Sequence, residues 1–163
     1  MYSTTLDKHI TKYCKKFGIA KATCSDEFAY YPATETLTYT IFQFTTDKPF
    51  IELINKKYNV NIAPLYFIFS LLHEIGHHIT FDELTDEEME NELFARTVIP
   101  CLDENEQMEA YVNLAAEDMA TSWAIDYIDS HLKECWETQK RFIQIIDHIY
   151  KKKSFQKVLT RLT

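Results

Sequence analysis

The stretch from Ile62 to Leu72 is apolar apart from Pro64 and Ser70, and it runs straight into His73-Glu-Ile-Gly-His-His78. The pattern predicts a helix from about Ala63-Pro64 to Ile79. From Leu65 to Leu72 that helix is apolar nearly all round, so it belongs in the middle of the fold. The run is far short of the roughly 20 residues that a bilayer crossing takes. The helix then carries imidazoles and a carboxylate into the interior, where polar groups without partners are costly. Something must satisfy them, and that requirement constrains the rest of the chain.

With 163 residues, the chain is expected to form one domain, 1–163, around a single core. Its 46% hydrophobic and 26% charged residues exclude disorder and low complexity. Only 2 glycines and 4 prolines disfavour an all-β sandwich and favour helices with few tight turns. A formal net charge of -8 disfavours generic binding to nucleic acid or an anionic membrane, and no helix-turn-helix signal stands out. Cysteines 14, 24, 101 and 135 form no CxxC pair, so neither a disulfide framework nor a thiolate zinc cluster is expected. They read as small buried hydrophobes. The opening MYSTTLDKHITKY is polar and lacks the apolar stretch of a leader, so a reducing cytoplasm is the expected compartment.

Leu6, Ile10, Tyr13, Cys14 and Phe17 recur at helical spacing, and Gly18 is placed to end that helix. The segments 28–31 and 36–42 are rich in aromatic and β-branched residues. They predict a hairpin turning through Pro32-Ala-Thr-Glu35. Pro49 suits a first helical turn, with Phe50, Leu53 and Ile54 on one face, and Asn59 to Asn61 breaks that helix. After the apolar helix come an acidic helix, about Asp86 to Ile99, and a polar loop at Asp103-Glu-Asn-Glu. Two further helices are expected, about Met108 to Asp129 and His131 to Lys153. In the last, Trp136, Phe142, Ile145, Ile146 and Ile149 make an apolar stripe that reads as core.

His73-Glu74-x-x-His77 is an HExxH pattern. Helical residues four apart share a face, about 5–6 Å apart at Cβ. Two imidazoles so placed converge on one ion, at Zn–N distances of about 2.0–2.1 Å. Glu74 is rotated about 100° from His73, so it can reach a metal-bound water without being a ligand, as a general base must. His78 reads as a helix C-terminal residue capping carbonyls. A mononuclear site needs a third ligand and an open position. No third histidine follows at short spacing, so a carboxylate from a later helix is favoured, giving a His2Glu set. Two segments compete. Glu117 shares a face with Ala120 and Ala124, small residues that would let its helix pack closely on the metal helix. Glu88 could fold back beside His77, but it sits in an acidic run of the kind usual at a solvated helix start.

His73-Glu-Ile-Gly-His-His78, followed by the Glu117-x-x-Ala-x-x-Trp-Ala helix, resembles the ImmA/IrrE-type zinc metallopeptidases of bacteria, phages and mobile elements. The resemblance implies a minimal zincin-like domain: α+β, mainly helical, with a small antiparallel β-hairpin or sheet packed on the HExxH helix. It implies Zn2+ on His73, His77 and Glu117, with Glu74 as catalytic base. It also implies a protein substrate, such as a repressor-type regulator. The chain departs from the family where Thr121 follows Ala120, where Trp123 takes a phenylalanine place, and in lacking a proline after the Glu117 helix. For the oxyanion, Tyr111, Tyr127 and His131 are available, and Asp118 and Asp126 are candidates to orient the histidines. The competing expectation is a non-catalytic metal-binding interaction protein of a phage or mobile element.

Overall fold

A computed structural model describes residues 4–41 and 48–150. Seven helices and three short strands are described: α1 (Thr4–Cys14), β1 (Lys21–Cys24), β2 (Ala29–Tyr31), β3 (Thr36–Tyr39), α2 (Lys48–Tyr58), α3 (Tyr66–Thr80), α4 (Asp86–Val98), α5 (Glu104–Tyr111), α6 (Ala115–Ser130) and α7 (Leu132–Tyr150). The fold is mainly helical α+β, as expected, and α3 is its centre. Every residue of α3 from Tyr66 to Gly76 is buried. Ser70, polar in this apolar stretch, returns its hydroxyl to the Tyr66 carbonyl at 3.0 Å.

The expected hairpin is β2 and β3, paired antiparallel from Ala29↔Thr38 to Tyr31↔Thr36. Its turn runs through Pro32–Thr34 to Glu35, which takes a left-handed φ of 46°. Phe42, the end of the expected second strand, lies outside the described residues. Phe28 and Tyr39 both set their rings edge-on to Phe67 of α3, which packs the sheet on that helix.

The sequence pattern does not announce β1, which pairs parallel with β3 and makes a mixed sheet of order β1-β3-β2. Its Lys-Ala-Thr-Cys buries only Ala22, too little alternation to read as a strand. Its place is set by α1. The Thr11 hydroxyl accepts from Ala22 N–H at 2.9 Å and donates to the Ala22 carbonyl at 3.2 Å. Asp7 accepts from Cys24 N–H at 2.9 Å and from the Tyr39 hydroxyl at 2.8 Å. Side chains of α1 thus take the place of a neighbouring strand.

The expected helix over 108–129 is two helices. Asp103 caps α5 in a reciprocal capping box with Glu106, so the segment read as a polar loop begins a helix. The chain then breaks at Val112 to Leu114. Lys57 takes the Val112 carbonyl at 2.7 Å, Asn113 takes the Glu109 carbonyl at 2.8 Å, and Leu114 turns extended with ψ 141° and is buried. Apolar periodicity runs through this break, and polar contacts to carbonyls end the helix. The other boundaries follow the sequence: Gly18 ends the first helical segment at φ 89°, and Asn59 ends α2 at φ 53°. Lys151 to Lys153 lie outside the described residues. Phe142, Ile143 and Ile146 of α7 are core, whereas Trp136 is 46% exposed. Cys14 and Cys135 are buried as expected, Cys24 is half-buried and Cys101 exposed, and all four are free thiols. Among the described residues, no helix is long and apolar enough to cross a membrane.

The N-terminus of α3 has no cap from its own chain neighbours. Gln139 of α7, 1% exposed, supplies one from a distance: its carbonyl oxygen accepts from Ile68 N–H at 3.2 Å, and its amide donates to the Pro64 carbonyl. Gln139→Leu should leave both backbone groups buried without partners and cost about 1–3 kcal/mol, read as a fall in thermal midpoint. An unchanged midpoint would show that this long-range cap does not hold α3.

Candidate metal centre

His73 and His77 stand one turn apart on α3, with ring centres 4.7 Å apart and planes at 81°. Glu117, in the first turn of α6, reaches between them and is 2% exposed. Its Oε2 lies 3.1 Å from His73 Nε2 and 3.3 Å from His77 Nε2. One ligand atom from each residue falls within 4.8 Å of the others. Two donors bound tetrahedrally at about 2.0 Å stand about 3.3 Å apart, so these spacings suit a single small ion. The buried group of His73, His77 and Glu117 could hold a metal ion.

The approach of α6 to α3 depends on a missing side chain. A Cβ on Gly76 would fall 2.6 Å from the Ala120 carbonyl oxygen and 2.9 Å from its Cα. Glycine at 76 and alanine at 120 therefore let the two backbones touch one turn from the ligands.

Of the two competing acids, Glu117 is the one that stands with the histidines. Glu88 is occupied elsewhere, accepting from Thr85 N–H at 2.8 Å in the capping box that starts α4. Arg96, Glu92 and Thr121 complete the surroundings. Arg96 of α4 donates to the other Glu117 oxygen, Oε1, at 3.0 Å. Glu92, one turn before Arg96, accepts from Ala116 N–H at 2.6 Å and seats α4 against the start of α6. Thr121 places its hydroxyl 3.1 Å from His73 Nδ1. A proton held on Nδ1 towards Thr121 leaves the Nε2 lone pair for an ion. The carboxylates considered for that orienting role are elsewhere: Asp118 pairs with Lys57 at 2.5 Å and Tyr58 at 2.7 Å, and Asp126 is exposed. Thr121 lies four residues after Glu117, so the two share a face of α6, and a hydroxyl there does the work expected of an acid.

His77, Glu74 and Glu117 face a cavity of about 450 Å³. Arg96 and Tyr111 give it a polar wall; Phe28, Phe81, Met89 and Leu93 give it an apolar one. Of the three oxyanion candidates, Tyr111 lines this cavity. Tyr127 and His131 stack on each other at 4.2 Å, beside Trp123 and Phe17. Among the described residues His78 is not a carbonyl cap; its Nδ1 meets the Tyr30 hydroxyl at 2.6 Å and ties α3 to β2.

The charges in this pocket shape each other. Burial alone would raise the Glu117 carboxyl, but hydrogen bonds from His73 and His77 reverse this and hold it well below the usual range. Burial disfavours a charged His77, yet the Glu117 carboxylate outweighs that and raises its pKa. Glu74 is pushed up by burial, against the opposing pull of His73 and His77. Burial and the nearby Glu117 also raise Tyr111, which keeps it a hydroxyl at neutral pH.

No protein-family model matches the chain, and neither a curated protein nor a solved structure matches it.

Gly76→Ala should force α6 away from α3, costing about 1–3 kcal/mol and weakening metal uptake; a stable variant with full uptake would show that the helix spacing is not set at this residue. Glu117→Ala should lose stoichiometric metal in elemental analysis, while Glu88→Gln should keep it. The opposite pattern would reinstate Glu88.

Proposed function

We propose that this chain is a zinc-dependent peptidase. The observation that carries the proposal is the position of Glu74, buried beside a three-ligand group and opening on the same cavity. A purely structural zinc site is closed by four protein ligands and has no use for a carboxylate base beside them. Two imidazoles and one carboxylate suit zinc better than the hard cations, which prefer all-oxygen sets. The similarity of His73-Glu-Ile-Gly-His-His78 to the ImmA/IrrE-type metallopeptidases points the same way.

His73, His77 and Glu117 would hold the ion, which when bound supplies Lewis acidity towards a carbonyl and acidifies water to a pKa of about 7. Glu74 accepts the proton that water releases as its oxygen bonds to the carbonyl carbon. It then delivers that proton to the amine nitrogen as the C–N bond breaks. Tyr111, kept protonated, can donate to the oxygen on which negative charge develops. The apolar wall of Phe28, Phe81, Met89 and Leu93 suits an apolar side chain of a polypeptide. The resemblance supports a regulatory protein as substrate, such as a phage or mobile-element repressor, encountered in the cytoplasm.

The test is cleavage of a peptide mixture by zinc-loaded protein, read by mass spectrometry. Glu74→Gln should retain one zinc per chain and lose about 10²- to 10⁴-fold in rate. Equal rates in the two proteins would remove Glu74 as the base. Stoichiometric zinc without any cut, with the candidate regulator also intact, would favour the non-catalytic metal-binding protein instead.

A further inference from the structure

Glu117 gives its two oxygens to different partners. Oε2 faces both histidines, at 3.1 and 3.3 Å, while Oε1 accepts from Arg96 at 3.0 Å. A carboxylate can hold a metal ion through one oxygen or through both. With two histidines, closure through both oxygens would make four protein bonds, so that a reacting water could enter only as a fifth ligand. We propose that Arg96 is a positioning residue that restricts Glu117 to ligation through Oε2 and so keeps one coordination position on the ion free, an inference that rests on the metal reading above.

The guanidinium is held for that task. Glu92 Oε2 stands 3.5 Å from Arg96 Nη2, and Glu92 Oε1 is fixed by Ala116 N–H, the residue before Glu117. The Tyr111 ring lies beneath the guanidinium, 5.7 Å from ring centre to Cζ. No residue of α4 is fully buried, so apolar packing alone does not account for where Arg96 stands; polar contacts to the start of α6 do. Among the described residues lining the cavity, Arg96 is the permanent cation beside Glu74, Glu92 and Glu117. An arginine is suited to this because its planar fork stays charged and keeps a fixed direction when it binds one carboxylate oxygen.

Co2+ in place of zinc reports coordination number directly, because a four-coordinate ion absorbs visible light several-fold more strongly than a five-coordinate one. Wild-type protein with one equivalent of Co2+ should show the strong four-coordinate band. Arg96→Met should still bind Co2+ but lose that intensity several-fold, as Glu117 closes through both oxygens and water remains. Arg96→Lys, which returns a donor and a charge, should recover part of it. An unchanged band in Arg96→Met overturns the inference. X-ray absorption of wild-type protein with zinc gives a reading that does not depend on the variant folding. The carboxylate carbon should lie at the longer distance of a one-oxygen ligand, and the short two-oxygen distance overturns the inference. Metal uptake with a two-oxygen signature defeats this inference alone, whereas wild-type protein that takes up neither ion defeats the metal reading and this inference together.

Discussion

The contact on which the rest depends is the one between two backbones, Gly76 of α3 and Ala120 of α6. Gly76 stands three positions after His73, and Ala120 three positions after Glu117, so one close crossing fixes how far the carboxylate stands from the imidazoles. Helix pairs in globular proteins lie 8–10 Å apart, set by the side chains at the contact. A small-residue contact reaches the lower part of that range. A Glu side chain then spans the gap while remaining 2% exposed. Thr121, the next residue of α6, meets the other nitrogen of His73 because the same crossing brings it there.

Much of this was legible in the sequence, for a physical reason. Buried apolar helices are rare places for His, Glu and His together, so the 73–77 segment declared itself. The small residues Ala120 and Ala124 marked the face of α6 that packs closely, and Glu117 shared that face. What stayed hidden were features whose cause lies in another element. β1 is four residues with one buried side chain, and it exists because Asp7 and Thr11 of α1 hold it. The break between α5 and α6 depends on Lys57, which sits more than fifty residues earlier in the chain. Arg96 lies in a helix whose local pattern announces only a solvated acidic surface. Its role emerges when Glu92 and Arg96 are seen against the start of α6.

α4, like the short α5, has no fully buried residue. Leu93 and Phe94 are 69% and 72% exposed, so the helix gains little from apolar burial. Its seat at the rim of the cavity comes instead from charged and hydrogen-bonded groups, and these end on the same carboxylate that faces the histidines. The order of the pocket and the docking of this helix are therefore parts of one polar network, in which each member is satisfied only while the others stay in place.

The arrangement at β1 has a consequence for how the molecule meets its own copies. Unsatisfied strand edges are templates for intermolecular pairing, and a fibre needs two of them on each unit to keep growing. Here the N–H and carbonyl of Ala22 are already taken by Thr11, and the N–H of Cys24 by Asp7. One side of the sheet is thereby shut to newcomers, and any pairing through the opposite side would stop at two molecules.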